Sequence, residues 1–145
     1  MLTEKQAQLL LDRNHAALAT LRRDGTAHVT PLWVDWDGEH VVVNTVIGRV
    51  KERHIRADPR VSVMVQDEED RTRYVSVTGT AVLVTEGAEE HIDAMARKYA
   101  GLERYPDAWR APGERRVLVL ITPLKVTDFN IDADWPQVSG GPPAA

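Results

Sequence analysis

The 145-residue sequence contains no cysteine, one phenylalanine and three serines. The absence of cysteine excludes disulfide bonds, thiolate nucleophiles and sites in which cysteine binds zinc or an iron–sulfur cluster. No apolar run approaches the roughly 20 residues that a membrane-spanning helix needs. The first residues also lack the continuous apolar stretch of a signal peptide. We therefore expect a cytoplasmic protein without a membrane segment.

The motifs of several enzyme classes are also missing. The sequence has no Gly-x-Gly-x-x-Gly, no Gly-x-x-x-x-Gly-Lys-Ser/Thr and no Gly-x-Ser-x-Gly, which argues against Rossmann enzymes, P-loop NTPases and serine hydrolases. The acidic run over residues 67–70 is interpreted as a solvated turn. The histidines never occur at H-x-H or H-x-x-x-H spacing, so we predict no metal site and interpret each as an ordinary surface or edge-strand residue. They are His15, His28, His40, His54 and His91.

The length and the charge balance limit the organisation of the chain. A chain of 145 residues has the usual length of one domain. We predict that domain over residues 1–135 and a flexible tail over residues 136–145, which are rich in Gly and Pro. The formal net charge of −4 does not favour general binding to nucleic acid, which requires many cations to neutralise phosphates.

Turn signals and alternating apolar residues predict a mostly β protein. Asp24-Gly25 and Asp37-Gly38 each stand between two apolar runs, a pattern typical of β-hairpins. Gly79 lies inside a long apolar run over residues 73–84 and predicts a bulge or bend. The chain is predicted to close with short strands on either side of Pro123.

Three segments carry helical signals. Thr3 and Gln6 predict a capping box at the start of a first helix. Residues 49–57 predict a second helix, and Thr85 is predicted to cap a third that ends at Gly101. With the strands, these signals predict a mostly β fold with some α, a small six-stranded antiparallel barrel with two to three flanking helices.

Residues 44–56 contain an unusual group of cations. Arg49, Lys51 and Arg53 occupy the first turn of the predicted second helix. A helix N-terminus carries about half a positive charge and favours acidic side chains, so an anion would relieve this arrangement. Free backbone N–H groups, these cations and the Thr45 hydroxyl together predict a phosphate site. The alternative is a solvated helix face in which the acidic residue of this turn pairs with neighbouring arginines.

The order and spacing of several short motifs resemble a known family. They are Ala19-Thr20-Leu21…Asp24-Gly25…Pro31, Asn44-Thr45-x-x-Gly48-Arg49-x-Lys51, Ile55-Arg56-x-Asp58-Pro59-Arg60-Val61-Ser62, Lys98-Tyr99-x-Gly101-Leu102…Tyr105-Pro106 and Arg115-Arg116-Val117…Ile121-Thr122-Pro123. Over roughly residues 9–129 the chain resembles the flavin and deazaflavin reductase branch of the split barrels that are similar to pyridoxamine 5'-phosphate oxidase. The last two motifs resemble the subgroup that uses coenzyme F420.

The resemblance implies a homodimeric FMN-binding split barrel of Greek-key type, with the cofactor ring in a groove between the subunits. It further implies that Arg49 and Lys51 hold the cofactor phosphate, with Thr45 as a hydroxyl donor, and that the strand around Trp33 lines the ring. The predicted cofactor-binding residues are Thr30, Pro31, Leu32, Trp33, Asn44, Thr45, Gly48, Arg49, Val50, Lys51 and Arg56.

We predict a coenzyme F420-dependent oxidoreductase that transfers a hydride between reduced deazaflavin and a small, conjugated, planar acceptor. Since the cofactor carries the chemistry, no catalytic residue is assigned, although Tyr74 and Tyr105 are considered as proton donors. The alternatives are an FMN-binding oxidoreductase or oxidase of the same fold, and a cofactor-free interaction module. The resemblance does not extend to a vitamin B6 substrate, because true pyridoxamine phosphate oxidases end in a segment whose Arg and His hold the substrate phosphate, whereas no Arg or His follows Arg116 here.

Two expectations concern the cofactor tail and the dimer. Arg53, Arg56 and Arg60 supply more positive charge than one phosphate requires. We therefore predict that they attract the acidic tail of coenzyme F420, which should bind more tightly than FMN. The residues predicted to form the subunit interface are Trp33, Trp36 and the strand over residues 75–77.

Overall fold

The structure, a computed structural model, describes residues 1–132. The predicted tail over residues 136–145 lies outside the described residues. In chain order the elements are α1 (Glu4–Leu11), β1 (Ala16–Leu21), β2 (Ala27–Leu32), β3 (Asp35–Trp36), β4 (Val41–Val46), α2 (Val50–Ala57), β5 (Arg60–Gln66), β6 (Tyr74–Val84), α3 (Ala88–Ala100), a 3-10 turn (Asp107–Trp109) and β7 (Arg116–Phe129).

The strands form one antiparallel sheet in the order β2-β1-β5-β6-β7-β4-β3, curled into a half-barrel. The split-barrel class is confirmed, although the described residues form seven strands rather than six. The apolar run over residues 28–36 is divided at Trp33 and Val34 into β2 and β3. The short strands predicted around Pro123 are instead one continuous strand, β7.

The bulge predicted at Gly79 is confirmed. The register between β6 and β7 shifts between Thr78 and Gly79, opposite Lys125 and Pro123. A Cβ atom on Gly79 would lie 2.2 Å from the backbone oxygen of Thr122, so a side chain does not fit there. The ladder is already irregular at this point, which is why β7 accommodates a proline without ending.

The main core lies inside the curled sheet and contains mostly valine and leucine side chains. Strand alternation directs Val75 and Val77 of β6 into this core, where they are 0% and 1% exposed. These two side chains are therefore not available to the subunit interface predicted for the strand over residues 75–77, whereas Ser76 between them faces outward. Trp36 also packs against this core. A smaller cluster beside α3 contains Ile92, Met95 and Tyr99, with Trp33 packed against it.

The helix boundaries follow local signals with one exception. The capping box of Thr3 and Gln6 at the start of α1 is confirmed. The predicted N-cap of α3 is wrong, because Gly87 in the left-handed region (φ 80°) precedes the helix, and Thr85 only accepts the N–H of Ala88 through its carbonyl. None of the helices within residues 1–132 is long and apolar enough to cross a membrane.

Candidate functional site

A cleft of about 240 Å³ lies where β2, β4 and β7 meet the start of α2, one side of α3 and the loop before β7. Two strand ends supply its polar floor, the start of α2 supplies cations, and aromatic side chains supply its walls. The lining residues are Pro31, Leu32, Trp33, Asn44, Thr45, Arg49, Lys51, Ile92, Met95, Tyr105, Trp109 and Arg116.

Two cations of the cleft have either a distant acidic partner or none within residues 1–132. Arg49 is about half exposed, and its nearest acidic group in an ion pair is Glu114, at 4.0 Å. Lys51 is half-buried, and within residues 1–132 no hydrogen bond or ion pair holds its ammonium group. Burial, and then the charge of Arg49, lower the pKa of Lys51. The pair therefore offers an anion a site of high positive potential.

The start of α2 adds backbone donors to this site. Arg49 is the N-cap and makes no side-chain cap hydrogen bond. The Glu52 carboxylate accepts the N–H of Gly48 at 2.9 Å, where a positive φ of 93° turns the chain into the helix. The amides of residues 50–52 have no acceptor among residues 1–132. These free N–H groups are the usual anion-binding feature of a helix N-terminus.

Two buried polar atoms at the cleft also lack partners within residues 1–132. They are the Oγ1 atom of Thr45 and the Nη2 atom of Arg116. Thr45 is 1% exposed, and the Arg116 side chain is 4% exposed. A buried donor without an acceptor costs about 1–3 kcal/mol, so such atoms normally have a partner. Their position in the cleft points to a ligand that carries oxygen atoms.

Arg116 is held firmly by its neighbours. Its Nε atom donates to Glu114 at 2.7 Å, its Nη1 atom donates to Asn44 Oδ1 at 3.4 Å, and its guanidinium lies 4.6 Å from the Tyr105 ring centre. Burial alone would raise the pKa of Glu114, but the backbone N–H of Ala111 and the Arg116 guanidinium outweigh it and hold the pKa below its usual value. An ionised Glu114 thus fixes Arg116 in the floor of the cleft.

The apolar walls consist of stacked aromatic rings and side chains of α3. The rings of Trp33 and Tyr99 are parallel, with centres 5.3 Å apart. Tyr105 meets Trp33 and Trp109 edge-on, at 6.4 and 5.6 Å. Planar apolar walls with a few converging polar groups are typical of sites that bind a heterocycle.

The structure brings together seven of the eleven predicted cofactor-binding residues. The other four, Thr30, Gly48, Val50 and Arg56, do not line the cleft. The Arg56 guanidinium donates twice to Glu52, at 2.8 and 2.7 Å. This is the i, i+4 pair of the alternative interpretation of α2.

Five lining residues were not among the predicted cofactor-binding residues, although Tyr105 was considered as a proton donor; they are Ile92, Met95, Tyr105, Trp109 and Arg116. Arg116 stands in one of the quoted motifs, but a charged residue at the start of an apolar strand gives no sign of burial. Among residues 1–132, no group of three or more His, Asp or Glu side chains could hold a metal ion.

A second, basic cleft of about 530 Å³ adjoins α2 and the hairpin of β1 and β2. Burial, and then the charges of Arg22, His54 and Lys51, lower the pKa of the neighbouring His28. The charge contributions to this shift, which come after burial, all arise from basic side chains on this side of α2. The lining residues are Leu21, Arg22, Arg23, Arg53, His54, Ala57 and Asp58.

The sequence model of the family described as pyridoxamine 5'-phosphate oxidase matches residues 2–128, which include every residue that lines the first cleft. An F420 reductase of known structure is 29% identical, over 87% of this chain and 98% of its own, with a TM-score of 0.75. Conserved hypothetical protein Rv2991 of Mycobacterium tuberculosis is 25% identical, over 91% and 87% of the two chains, with a TM-score of 0.70. General stress protein 26 of Bacillus anthracis shares the fold, at 20% identity over 87% and 92% of the chains and a TM-score of 0.66.

Proposed function

The chain belongs to the pyridoxamine 5'-phosphate oxidase family, a family of oxidoreductases, and we propose that it is a cytoplasmic, coenzyme F420-dependent reductase of a small, conjugated acceptor. The observation that carries this proposal is the group of uncompensated donors at the start of α2. Arg49, Lys51 and the free amides of residues 50–52 fit one phosphate. The similar F420 reductase supports the choice of cofactor.

The residues of the cleft fit a phosphorylated heterocycle. Arg49 and Lys51 would hold the phosphate, and the buried Oγ1 atom of Thr45 would gain the partner that it lacks. Trp33 and Tyr105 would place the ring between aromatic walls and exclude water. The bound deazaflavin would supply hydride transfer, while the protein orients it.

Of the two tyrosines considered as proton donors, only Tyr105 lines the cleft. Tyr74 lies on β6, where its ring stacks on Phe129 with centres 6.2 Å apart. Tyr99 is unsuited to this role, because burial raises its pKa to about 12 and its hydroxyl donates to the carbonyl of Asn14 at 2.6 Å. We therefore keep Tyr105 as the candidate group for protonation of the acceptor.

We propose that the acidic tail of coenzyme F420 binds in the second cleft, so that of the three arginines considered from the sequence only Arg53 contacts it. Arg56 and Arg60 are engaged with Glu52 and Asp58. Arg53, by contrast, lines the basic cleft together with Arg22 and Arg23. We propose that this cleft receives the tail carboxylates, and that it is the feature that distinguishes coenzyme F420 from FMN.

The outward face of the sheet is the surface that we propose for the homodimer. Its side chains form two rows across β2, β1, β5 and β6 that contain no charged residue, and Val29 at its edge is 59% exposed. Pro31 belongs both to this face and to the cleft, so a partner seated here would border the ligand. The two rows are Val29-Ala19-Ser62-Thr78 and Pro31-Ala17-Met64-Ser76.

Titration with both cofactors tests the proposed function. Coenzyme F420 is expected to bind more tightly than FMN at about 0.05 M salt, and this advantage should shrink at about 0.5 M salt, because the Debye length falls and exposed tail contacts are screened. Quenching of cofactor fluorescence measures both affinities. FMN that binds at least as well under both conditions would support the FMN-dependent alternative, and failure of both to bind would support an interaction module.

A further inference from the structure

A chain of hydrogen bonds runs behind the cleft and joins four elements. His91 of α3 has a side chain that is 13% exposed. Its Nε2 atom lies 3.2 Å from Asp35 Oδ2 on β3, and its Nδ1 atom lies 3.2 Å from Asn44 Nδ2 on β4. Asn44 lines the cleft. His91 is therefore not the ordinary surface histidine that the sequence suggests.

The partners of Asn44 fix the position of the imidazole proton. The Nδ2 atom of Asn44 also lies 2.8 Å from the carbonyl oxygen of Ala88, which can only accept. This contact assigns Nδ2 as the donor, so the Nδ1 atom of His91 must be an unprotonated acceptor. The proton of a neutral imidazole then lies on Nε2 and is donated to Asp35.

The carboxylate of Asp35 is suited to accept the hydrogen bond from His91 Nε2. Burial alone would raise the pKa of Asp35, but the hydrogen bonds from His91 and from the backbone N–H of Trp36 outweigh this effect and hold the pKa below its usual value. Asp35 is thus an ionised acceptor, and it fixes both the tautomer and the ring orientation of His91.

The arrangement continues from Asn44 into the floor of the cleft. With Nδ2 engaged, Asn44 Oδ1 accepts from Arg116 Nη1 at 3.4 Å. Glu114 accepts from Arg116 Nε, so the free donor of this guanidinium within residues 1–132 is Nη2. The Asn44 carboxamide therefore adds a second, longer restraint to the guanidinium that Glu114 holds at Nε, and so contributes to the direction in which Nη2 is offered.

We propose that His91 is a positioning residue of the cleft, whose neutral imidazole fixes the Asn44 carboxamide and, through it, the Arg116 guanidinium, in the arrangement that binds ligand. The proposal rests on the proposed function only in taking the cofactor as that ligand. His91 itself does not line the cleft, so it acts through Asn44.

Protonation of His91 would break this arrangement. A proton on Nδ1 would face the N–H group of Asn44, and the carboxamide cannot turn over, because Ala88 requires a donor and Arg116 requires an acceptor. The charged groups nearest the imidazole are Asp35, with Lys98 acting on that carboxylate, and, beyond Asn44, Arg116 with its partner Glu114. Ligand binding should therefore weaken at a pH acid enough to protonate His91.

Long-range ¹H–¹⁵N correlation spectra of the full chain without ligand test the tautomer directly. The neutral imidazole of His91 is expected to carry its proton on Nε2. Its signals are assigned as those missing in His91→Gln. A proton on Nδ1, or an average over both tautomers, would overturn the proposal. This measurement requires no cofactor, so it judges the proposal even if neither FMN nor coenzyme F420 binds and the proposed function fails.

Cofactor affinities of matched variants test the positioning role. His91→Gln keeps one donor for Asp35 and one acceptor for Asn44, and should bind within about threefold of the unchanged chain without losing affinity at acid pH. His91→Leu keeps neither and should bind about tenfold more weakly. His15→Gln, at an exposed histidine beside Glu68, is the control. Unchanged affinity in His91→Leu, or an unchanged loss at acid pH in His91→Gln, would contradict the role of His91.

Discussion

Lys51 is half-buried beside Arg49, and burial together with this neighbouring charge lowers the pKa of its ammonium group. Burial of an unpaired charge is unfavourable, and the chain supplies no acidic partner within residues 1–132. An anion between the two side chains would remove this cost. At the scale of single residues, the cleft is therefore defined by three polar groups that lack a partner within residues 1–132. They are the Lys51 ammonium group, the Thr45 Oγ1 atom and the Arg116 Nη2 atom.

Arg49→Ala and Lys51→Ala should each weaken the binding of coenzyme F420 by about tenfold or more. The reason is the loss of charge-assisted hydrogen bonds, which contribute about 1.5–3 kcal/mol each. Isothermal titration measures the affinities, and Arg60→Ala, an exposed arginine paired with Asp58, is the matched control. Unchanged affinity in both cleft variants, with native circular dichroism, would show that the phosphate lies elsewhere.

At the scale of elements, the start of α2 is stabilised by a buried carboxylate, that of Glu52. Glu52 is 3% exposed and accepts from the N–H of Gly48 and from Arg56. The hydrogen bond from Arg56 is the main reason that the pKa of Glu52 lies below its ordinary value. Glu52 thus engages the N–H of Gly48 just before the helix, and leaves the amides of residues 50–52 free for a ligand.

Glu52→Gln should lower the melting temperature at pH 7 and lose this disadvantage in acid. The pKa of Glu52 is lower in the folded than in the unfolded chain, so its stabilisation is complete above the unfolded value of about 4.5 and disappears as the pH falls through the folded value. Thermal melts of both chains between about pH 7 and pH 3 should therefore converge. A difference that is constant over this range would mean that the carboxylate charge contributes nothing.

The bulge between β6 and β7 allows a second prediction at this scale. Gly79→Ala should destabilise the fold by about 1–3 kcal/mol, because its Cβ atom would lie 2.2 Å from backbone oxygen and the strands must shift. Urea unfolding measures the change. Val82→Ala, on the same strand but 61% exposed, should change stability by a few tenths of a kcal/mol. Equal effects of the two substitutions would contradict the steric role of this glycine.

At the scale of the whole molecule, the curled sheet has one face filled by its own core, and another on which two open rows across β2, β1, β5 and β6 carry no charged residue. Strand alternation places Val75 and Val77 inside, and their neighbours Ser76 and Thr78 outside. Exposed rows without charge favour contact with a second copy of the chain over contact with water. The cleft borders this face at Pro31, so assembly and ligand binding should be linked.

Val29→Arg should convert the proposed homodimer into monomers and weaken cofactor binding. Val29 is 59% exposed in the single chain, so the arginine costs nothing there, whereas a dimer would bury its charge. Light scattering should show about twice the chain mass of 16.2 kDa before the substitution and one chain mass after it. Leu11→Arg, at an exposed position of α1, is the control. A Val29→Arg dimer of unchanged affinity would place the interface on another surface.

The sequence by itself determined the features that depend on near neighbours. The capping box of Thr3 and Gln6, the bulge at Gly79 and the cations at the start of α2 each arise from residues a few positions apart. Such signals act through local backbone geometry and charge, so they can be read along the chain. The order of the elements predicted a small antiparallel barrel, and the resemblance to a known family implied the split barrel and the seven predicted residues that line the cleft.

Only the tertiary structure decided how distant residues meet. Asn44 and Arg116 are 72 residues apart, and the pairing of β4 with β7 brings them into contact. The sequence offered the pairing of Arg56 with Glu52 only as one of two interpretations, and it could not show that Val75 faces the core. Alternation along a strand shows which face is apolar but not whether the chain's own core or a partner covers that face. The curvature of the whole sheet decides this.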